Sequence, residues 1–589
     1  MTNYSGYCVL SVLLLPLGAA LGIFFLSPSE SRTAKLAHVP LIFSACALVF
    51  FNGQLIAHGP REFHTVFRYR LDSLAIVFLW LTVVLTSITL KYSRVYLHRE
   101  VGYQRFFATI LVFFASCQAI AVADDSRLLL LGWETMGLTS CFLIAFYQER
   151  TRSALQALRA FTAYKMSDAF LIAALTLMAS GRQNITGVGL FLLGAVCGKS
   201  AQFPLMTWLP RAMEGPTPSS AIFYGALSLH TGVFLLLRTY DLWHASHVVC
   251  WVMGVVGMVT AVLGTLSGRI QSNIKGQIGY ATLVQIGVML LEIAAGFPGL
   301  ALFHLCANAC LRCYQLLVSP SVVAYVLRAQ ASPTRGVQVS DWSWERFLPP
   351  ALRTTLYSFA FHEGYIDTLG SEMLRCVGWV KKLRGFAPSL QWNVVRLCLV
   401  VILVGVTFLV SHKRIPLECV GSTVASVLAL LTVGVASVAS REYALQPRRV
   451  WQWATGSMAL SALALYAHGS KAPLDWFFSS LELLLATVIW KGNLGKAWRT
   501  PNLASHSPFW GWQARSGRSQ ALALGASALV LTFFPGTPLA RLFHDALHRA
   551  WINHEIVWLV FLGCYSTLLE LTFAQVFARV WFGTGSSGR

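Results

Sequence analysis

Uninterrupted apolar runs of about twenty residues recur along this chain, and they leave it few ways to fold. Residues 7–27, 36–57, 71–91 and 106–123 are clear examples. A bilayer core of ~30 Å needs about 20 apolar residues per spanning helix. Lipid offers the backbone no hydrogen-bond partners, so only helices or closed barrels can cross it. A barrel would show alternating strands of about ten residues. These runs are continuous and rich in Leu, Ala and Val, so helices are expected. Composition agrees. Only 12% of residues are charged and 56% are hydrophobic, where a soluble domain carries about 25% charged residues. The expected fold class is all-α, a polytopic membrane protein with about 16–17 transmembrane helices.

Spanning helices are expected near 7–27, 36–57, 71–91, 105–123, 128–147, 155–179, 187–209, 219–239, 247–267, 274–295 and 298–327. No basic stretch precedes the first run and no small-residue cleavage site follows it, so it reads as a spanning helix and not a signal peptide. Residues 329–350 are polar and hold three prolines. Residues 351–384 intersperse Arg353, His362, Glu363, Asp367, Glu372, Arg375, Lys381, Lys382 and Arg384 with apolar positions, as a helix lying on the membrane surface would. Apolar runs resume near 393–411, 416–438, 450–468, 474–490, 519–535 and 555–582, with a basic, Trp-containing loop at 491–518. Five segments follow: N-terminal spanning helices (1–104), a first repeat (105–240), a partial second repeat (241–328), a polar linker with the surface helix (329–392), and C-terminal spanning helices (393–589). No repeat is visible by eye, although transporters often carry inverted repeats at low identity.

The formal net charge is +21. In a membrane protein this reflects loops held on the cytoplasmic side, and it gives no reason to expect nucleic acid. Over the first eleven helices about eleven Lys/Arg fall in odd-numbered loops and about six in even ones, which places the odd loops in the cytoplasm. The expected location is the inner (plasma) membrane. Anionic lipid or an acidic partner is the natural counter-surface. Thirteen cysteines are present, most of them in apolar runs. Cys306, Cys310 and Cys313 share a helix face, but a fourth ligand is missing nearby, so packing is the expected role and no metal is predicted.

Ionisable residues at membrane depth are costly, which makes them functional candidates. Glu134 lies mid-way along the fifth helix. Lys165 and Asp168 lie three apart on the sixth and can pair. Lys199 lies in the seventh, five residues before Pro204, which should break the helix. Irregular backbone at this depth belongs beside a water-filled cavity. His230 falls in the eighth helix, and Lys275, His304 and Arg312 in the tenth and eleventh. Glu292 is expected near a helix end, reaching toward the headgroups. The plainer reading of the set is a scatter of neutralising pairs that hold helices together. An acid, a base beside a helix break, and then histidine and further bases in successive helices look more like a proton relay. Neither a nucleotide loop nor a four-ligand metal cluster occurs, so no cofactor is expected.

Four strings carry a resemblance: GYQRFFATI, LGWETMGLTSCFLIAFY, GKSAQFPLMTWLPRAMEGPTPSSA and QSNIKGQIGYATLVQIG. Over about residues 70–327 the chain resembles the antiporter-like NuoL subunit of respiratory complex I and its relatives in Mrp antiporters. The resemblance implies an antiporter-like fold with a broken helix and an inverted repeat. It implies that Glu134 and Lys199 are the core of a proton channel, with Lys165 and Asp168 beside them. It further implies continuation through His230, Lys275, His304 and Arg312. The chain departs from the family at Tyr224, where the family has histidine, and in HLCANACLR, where Asn308 and Arg312 stand for a histidine and a lysine. Arginine stays charged at any accessible pH and cannot hand on a proton as lysine does. A second lysine-bearing broken helix is not found. The truncation resembles the DabB (MpsA) proteins, which pair with the zinc-containing DabA in energised uptake of inorganic carbon. That likeness implies a large DabA-like partner at the cytoplasmic face. The alternative is a NuoL-like subunit driven by redox chemistry elsewhere, in complex I or a membrane hydrogenase.

Overall fold

The computed structural model describes residues 2–26, 28–147, 150–179, 184–331 and 349–368. Those up to Gly364 lie in one compact unit. The apolar runs from 393 onward and the basic loop at 491–518 fall outside the described residues, as does most of the expected surface helix.

Eleven apolar segments run in the order expected. They are α1 (Thr2–Leu26), α2 (Glu30–His58), α3 (Ser73–Tyr96), α4 (Tyr103–Val122), α5 (Ser126–Ile144), α6 (Thr151–Ala179), the short α7 (Ile185–Lys199), a composite eighth span over Thr217–Arg238, and α11 (His247–Ile270), α12 (Ile274–Ala294) and α13 (Pro298–Ala331). The eighth span consists of α8 (Thr217–Ser220), a π-helical turn (Ala221–Ala226) and α9 (His230–Arg238); the one-turn α10 (Tyr240–Trp243) follows it. Ten of the segments are long and apolar enough to cross a bilayer, and the chain is a multi-pass membrane protein. A two-stranded antiparallel hairpin, β1 (Arg61–His64) and β2 (Arg68–Leu71), is a small addition to the all-α plan.

Polar side chains at the ends set the boundaries. Asp72 accepts from the Ala75 amide, Asp125 from Arg127, Asn184 from Gly187 and Asn273 from Lys275, each capping a helix whose first amides have no partner within it. The ends then sort onto two faces. On one, Glu30 holds His98 and the Arg99 amide, Gln104 bonds Pro28, and Arg105 bonds the Phe146 carbonyl, so the first, third and fifth loops meet. On the other, the hairpin joins the chain at Ala123 and Asp124, and Arg238 pairs with Asp72. Odd and even loops therefore lie on opposite faces, as up-and-down spans require.

Burial separates the helices into two kinds. In the eighth span 94% of an 18-residue apolar stretch is buried, whereas in α1, α2 and α11 only 33% of such a stretch is. Leu14, Leu21 and Phe25 on α1, Ile42, Val49 and Phe50 on α2, and Trp251, Val255 and Met258 on α11 are exposed. Such apolar surfaces suit lipid. The interior is built from α4 to α9, with Phe106, Phe107, Phe113, Phe114 and Phe223 fully buried.

Three expectations need correction. The seventh helix does not run to 209. It stops at Lys199, and residues 200–214 hold only two 3-10 turns, Met206–Trp208 and Pro210–Glu214. Ala201 has φ 51, which already leaves the helical region ahead of Pro204. The eighth helix is interrupted, not continuous. The surface helix begins as expected, as α14 (Pro350–Phe361), but it is not continuous: Glu363, Gly364 and Tyr365 turn left-handed.

Candidate functional site

The fifth, sixth and seventh spans bring four ionisable groups together. Glu134, in the middle of α5, is buried and accepts an ion pair from Lys165 of α6. Lys165 also lies 3.4 Å from Asp168, one turn along its own helix. Lys165 is thus shared between two carboxylates. Lys199, the last residue of α7, is fully buried. Its ammonium donates to the Trp133 carbonyl at 2.7 Å, and the Trp133 and Tyr164 ring centroids lie 4.9 and 4.8 Å from it.

The local sequence makes this possible. Gly137 lies one turn after Trp133, and a Cβ there would sit 3.4 Å from both the Lys199 ammonium and Tyr164. Glycine leaves the lysine its room. The helix stop at Lys199 leaves its side chain at the mouth of the irregular segment. Ser200 holds that segment to the eighth span by donating to the Leu229 carbonyl at 2.5 Å, and the Phe203 amide donates to Thr260 at 2.9 Å.

Two bases and two acids balance in charge, so adding or removing one proton unbalances the cluster by one unit. Such a group can load and unload a proton only if each state finds partners. The cluster is half-prepared for both. One Asp168 oxygen, Oδ1, is buried without a hydrogen-bond partner, and the Lys199 ammonium has one hydrogen bond of the three it can make. Beside the cluster, Ser140 bonds the hydroxyls of Tyr164 at 2.9 Å and Tyr224 at 2.8 Å, all three buried. Tyr224 sits in the π-helical turn, a feature often found at functional positions.

The remaining predicted residues lie apart from this cluster, in smaller groups. His230 is buried, and its Nε2 meets the Asn308 side-chain nitrogen at 3.0 Å, while the Asn308 oxygen accepts from Arg312 at 3.1 Å. Arginine has only donors, so it fixes the amide orientation. Asn308 must then donate to His230, whose Nε2 is unprotonated in this arrangement. Arg312 also donates to Gln315 at 2.7 Å. His304 lies between Glu292 and Gln285, each at 2.8 Å. Glu292 thus turns to a histidine, not to the headgroups. Lys275 lies in the first turn of α12, 3.5 Å from the Gly215 carbonyl. Pro204 follows the break; it does not begin it. Among the described residues no group of three or more His, Cys, Asp or Glu could hold a metal.

Residues 123–329 match the family model of the NADH:quinone oxidoreductase/Mrp antiporter transmembrane region, and residues 59–107 match that of the complex I chain 5 N-terminus. The match supports the NuoL/Mrp antiporter-like family. NADH-quinone oxidoreductase subunit L of Escherichia coli (strain K12) is 34% identical over 282 residues, 44% of this chain and 46% of the relative. The same subunit of Mycobacterium tuberculosis is 32% identical over 276 residues, 44% of each. NADH-ubiquinone oxidoreductase chain 5 of Petromyzon marinus is 27% identical over 342 residues, 54% of this chain and 56% of the relative. The chain thus spans about half the length of the curated relatives it matches. Among solved structures, a chain of the Mrp complex from Dietzia sp. DQ12-45-1b has a TM-score of 0.48 at 17% identity, covering 91% of this chain and 77% of that one. The four-residue cluster, the helix break and the π-helical turn all fall within the antiporter-like segment.

Sequence reasoning missed the Trp133 carbonyl and the Tyr164–Ser140–Tyr224 hydroxyls. Tyr164 directly precedes Lys165, and Gly137 follows Glu134 by three residues, so the polar and small residues flanking each charge were the available signal.

Proposed function

We propose that this chain is a proton- or cation-translocating, antiporter-like subunit of a multi-subunit membrane complex. The observation that carries the reading is the buried, charge-balanced set of Glu134, Lys165, Asp168 and Lys199, with Lys199 at the mouth of a helix break. In this reading Lys199 takes and releases the proton, Glu134 and Lys165 shift their shared pairing in response, and the Tyr164–Ser140–Tyr224 hydroxyls carry it on. The test is proton flux into vesicles holding the purified complex, compared with the Lys199→Ala variant. Loss of flux in a normally assembled variant supports the reading, and full flux overturns it.

Two complexes fit such a subunit. The relatives named above are subunits of NADH-quinone oxidoreductases, which favours a redox-driven complex of the complex I type. A second reading, energised uptake of inorganic carbon with a DabA-like zinc protein in the manner of DabB, rests on a specific feature. Asn308 and Arg312 replace a histidine and a lysine of the family pattern, and the 18 residues between α13 and α14 (332–349) are polar and too few for another span. That favours one ion path serving one partner.

A further inference from the structure

Glu363 is a buried carboxylate outside the family-matched segment and outside the candidate ion path. Its sequence context suggests an exposed charge on a surface helix. The structure turns it inward. α14 stops at Phe361, and Glu363 and Gly364 take φ of 53° and 70°. Glycine adopts this conformation freely, but glutamate seldom does. Both oxygens of the carboxylate are taken: the Tyr280 hydroxyl of α12 donates at 2.6 Å, and Arg211 of the second 3-10 turn donates at 3.0 Å. Ser267 of α11 anchors the end of α14 by donating to the Ala360 carbonyl at 3.0 Å.

From Arg211 a continuous set of contacts reaches Lys199. The same guanidinium donates to the Thr207 carbonyl at 2.6 Å, and Arg159 of α6 donates to the Thr207 hydroxyl at 2.8 Å. The next residue, Trp208, donates to the Gly198 carbonyl at 3.2 Å, and its ring meets that of Tyr164 with centroids 5.0 Å apart. Gly198 directly precedes Lys199, and Tyr164 is one of the two rings beside its ammonium. The segment 200–214 has little regular backbone bonding of its own, so side-chain contacts such as these set its position.

We propose that Glu363 is a positioning residue: by holding Arg211 and Tyr280 together it ties the chain beyond Pro349 to the helix break, and so sets where Lys199 presents its ammonium. This rests on the ion-path reading given above. A residue that only capped α14 would affect α14 alone. The latch instead gives whatever moves the segment after Pro349 a route to the proton site. Contiguous contacts are the physical requirement for such coupling, and a two-state response is its proof.

The test uses the full chain in lipid nanodiscs for hydrogen–deuterium exchange and in vesicles for proton flux. Glu363→Ala is expected to speed exchange in 200–214 by about fivefold or more while α4 is unchanged. It should cut flux by about tenfold, equivalent to about 1.4 kcal/mol of barrier. The exchanged pair Glu363→Arg with Arg211→Glu should recover both signals in part, which a general loss of packing would not allow. If Glu363→Ala fails to reach the membrane, Glu363→Gln is read in the same way, since it keeps the volume and the Tyr280 bond but turns an amide N–H toward Arg211. Unchanged exchange in 200–214 overturns the proposal. So does faster exchange with unaltered flux, in a protein that Lys199→Ala inactivates. Exchange does not depend on conduction, so an active Lys199→Ala variant would refute the ion path while the latch itself remained measurable.

Discussion

Lys199 donates its hydrogen bond to the main-chain carbonyl of Trp133, 2.7 Å away, and not to the carboxylate of the adjacent Glu134. That carboxylate is engaged by Lys165 instead. The two lysines are therefore not equivalent. Lys165 is ion-paired on two sides, whereas Lys199 rests on a neutral carbonyl and two aromatic rings. A base with a neutral partner can lose its proton without stranding a carboxylate.

This asymmetry gives the first prediction. Lys199→Ala should abolish ion flux and leave assembly intact, because no ion pair is broken. Lys199→Arg should also fail, since guanidinium cannot release its proton under accessible conditions. Flux measured in reconstituted vesicles at matched protein content checks both. Activity in the arginine variant would show that the position needs only charge.

Lys165 behaves differently. Removing one partner of a buried pair costs roughly 3–5 kcal/mol. Lys165→Met should therefore leave Glu134 and Asp168 unpaired and lower thermal stability sharply. The double variant Lys165→Met with Glu134→Gln should recover part of that stability, since only Asp168 is then left without its partner, while remaining inactive. Thermal unfolding of the purified protein measures it; equal stability of the single and double variants would remove the pairing from the account.

Gly137 tests the geometry with less disturbance. A Cβ placed there would lie 3.4 Å from the Lys199 ammonium and from Tyr164, which is close but ordinary contact. Gly137→Ala is expected to fold and retain flux. Gly137→Val adds two methyls against the ammonium and should reduce flux about tenfold, equivalent to about 1.4 kcal/mol. Equal flux in the two would mean that the ammonium is free to move aside.

The spans were legible in the sequence because one physical demand, satisfying the backbone in lipid, fixes their length and composition. Glu134, Lys165, Asp168 and Lys199 were legible for a related reason: charge in an apolar run is rare enough to stand out. What was hidden depends on geometry between helices. The sequence offers Glu134 two basic partners, Lys165 and Lys199, and does not say which takes it: Lys165 does, and Lys199 turns to the Trp133 carbonyl. The stop after Lys199 preceded the proline that seemed to cause it, since Ala201 had already left the helical region. Glu363 was misread because a charge among other charges looks solvated, and its inward turn follows from three consecutive left-handed residues, of which only Gly364 is of a type that favours that conformation.

The final prediction concerns the second cluster, His230, Asn308 and Arg312. Asn308 sits between His230 and Arg312, accepting from the arginine and donating to the histidine. An amide holds such a chain in place but does not pass a proton along it, and Arg312 does not release one. The main path should therefore run through α5, α6, α7 and the eighth span without needing this bridge. Asn308→Ala is expected to alter flux less than about threefold, well under the tenfold that about 1.4 kcal/mol would give, while Lys199→Ala abolishes it. Asn308→His restores the titratable group found in the family pattern and should leave flux intact or raise it. If Asn308→Ala instead proves as damaging as Lys199→Ala, the histidine is part of the path, and the bridge serves to hold His230 in the tautomer that receives the proton. The identity of the co-purifying partner then decides what the flux drives: quinone-reducing subunits indicate a redox-driven complex, and a large zinc protein, with rescue of a carbonic-anhydrase-deficient host that a protonophore removes, indicates uptake of inorganic carbon.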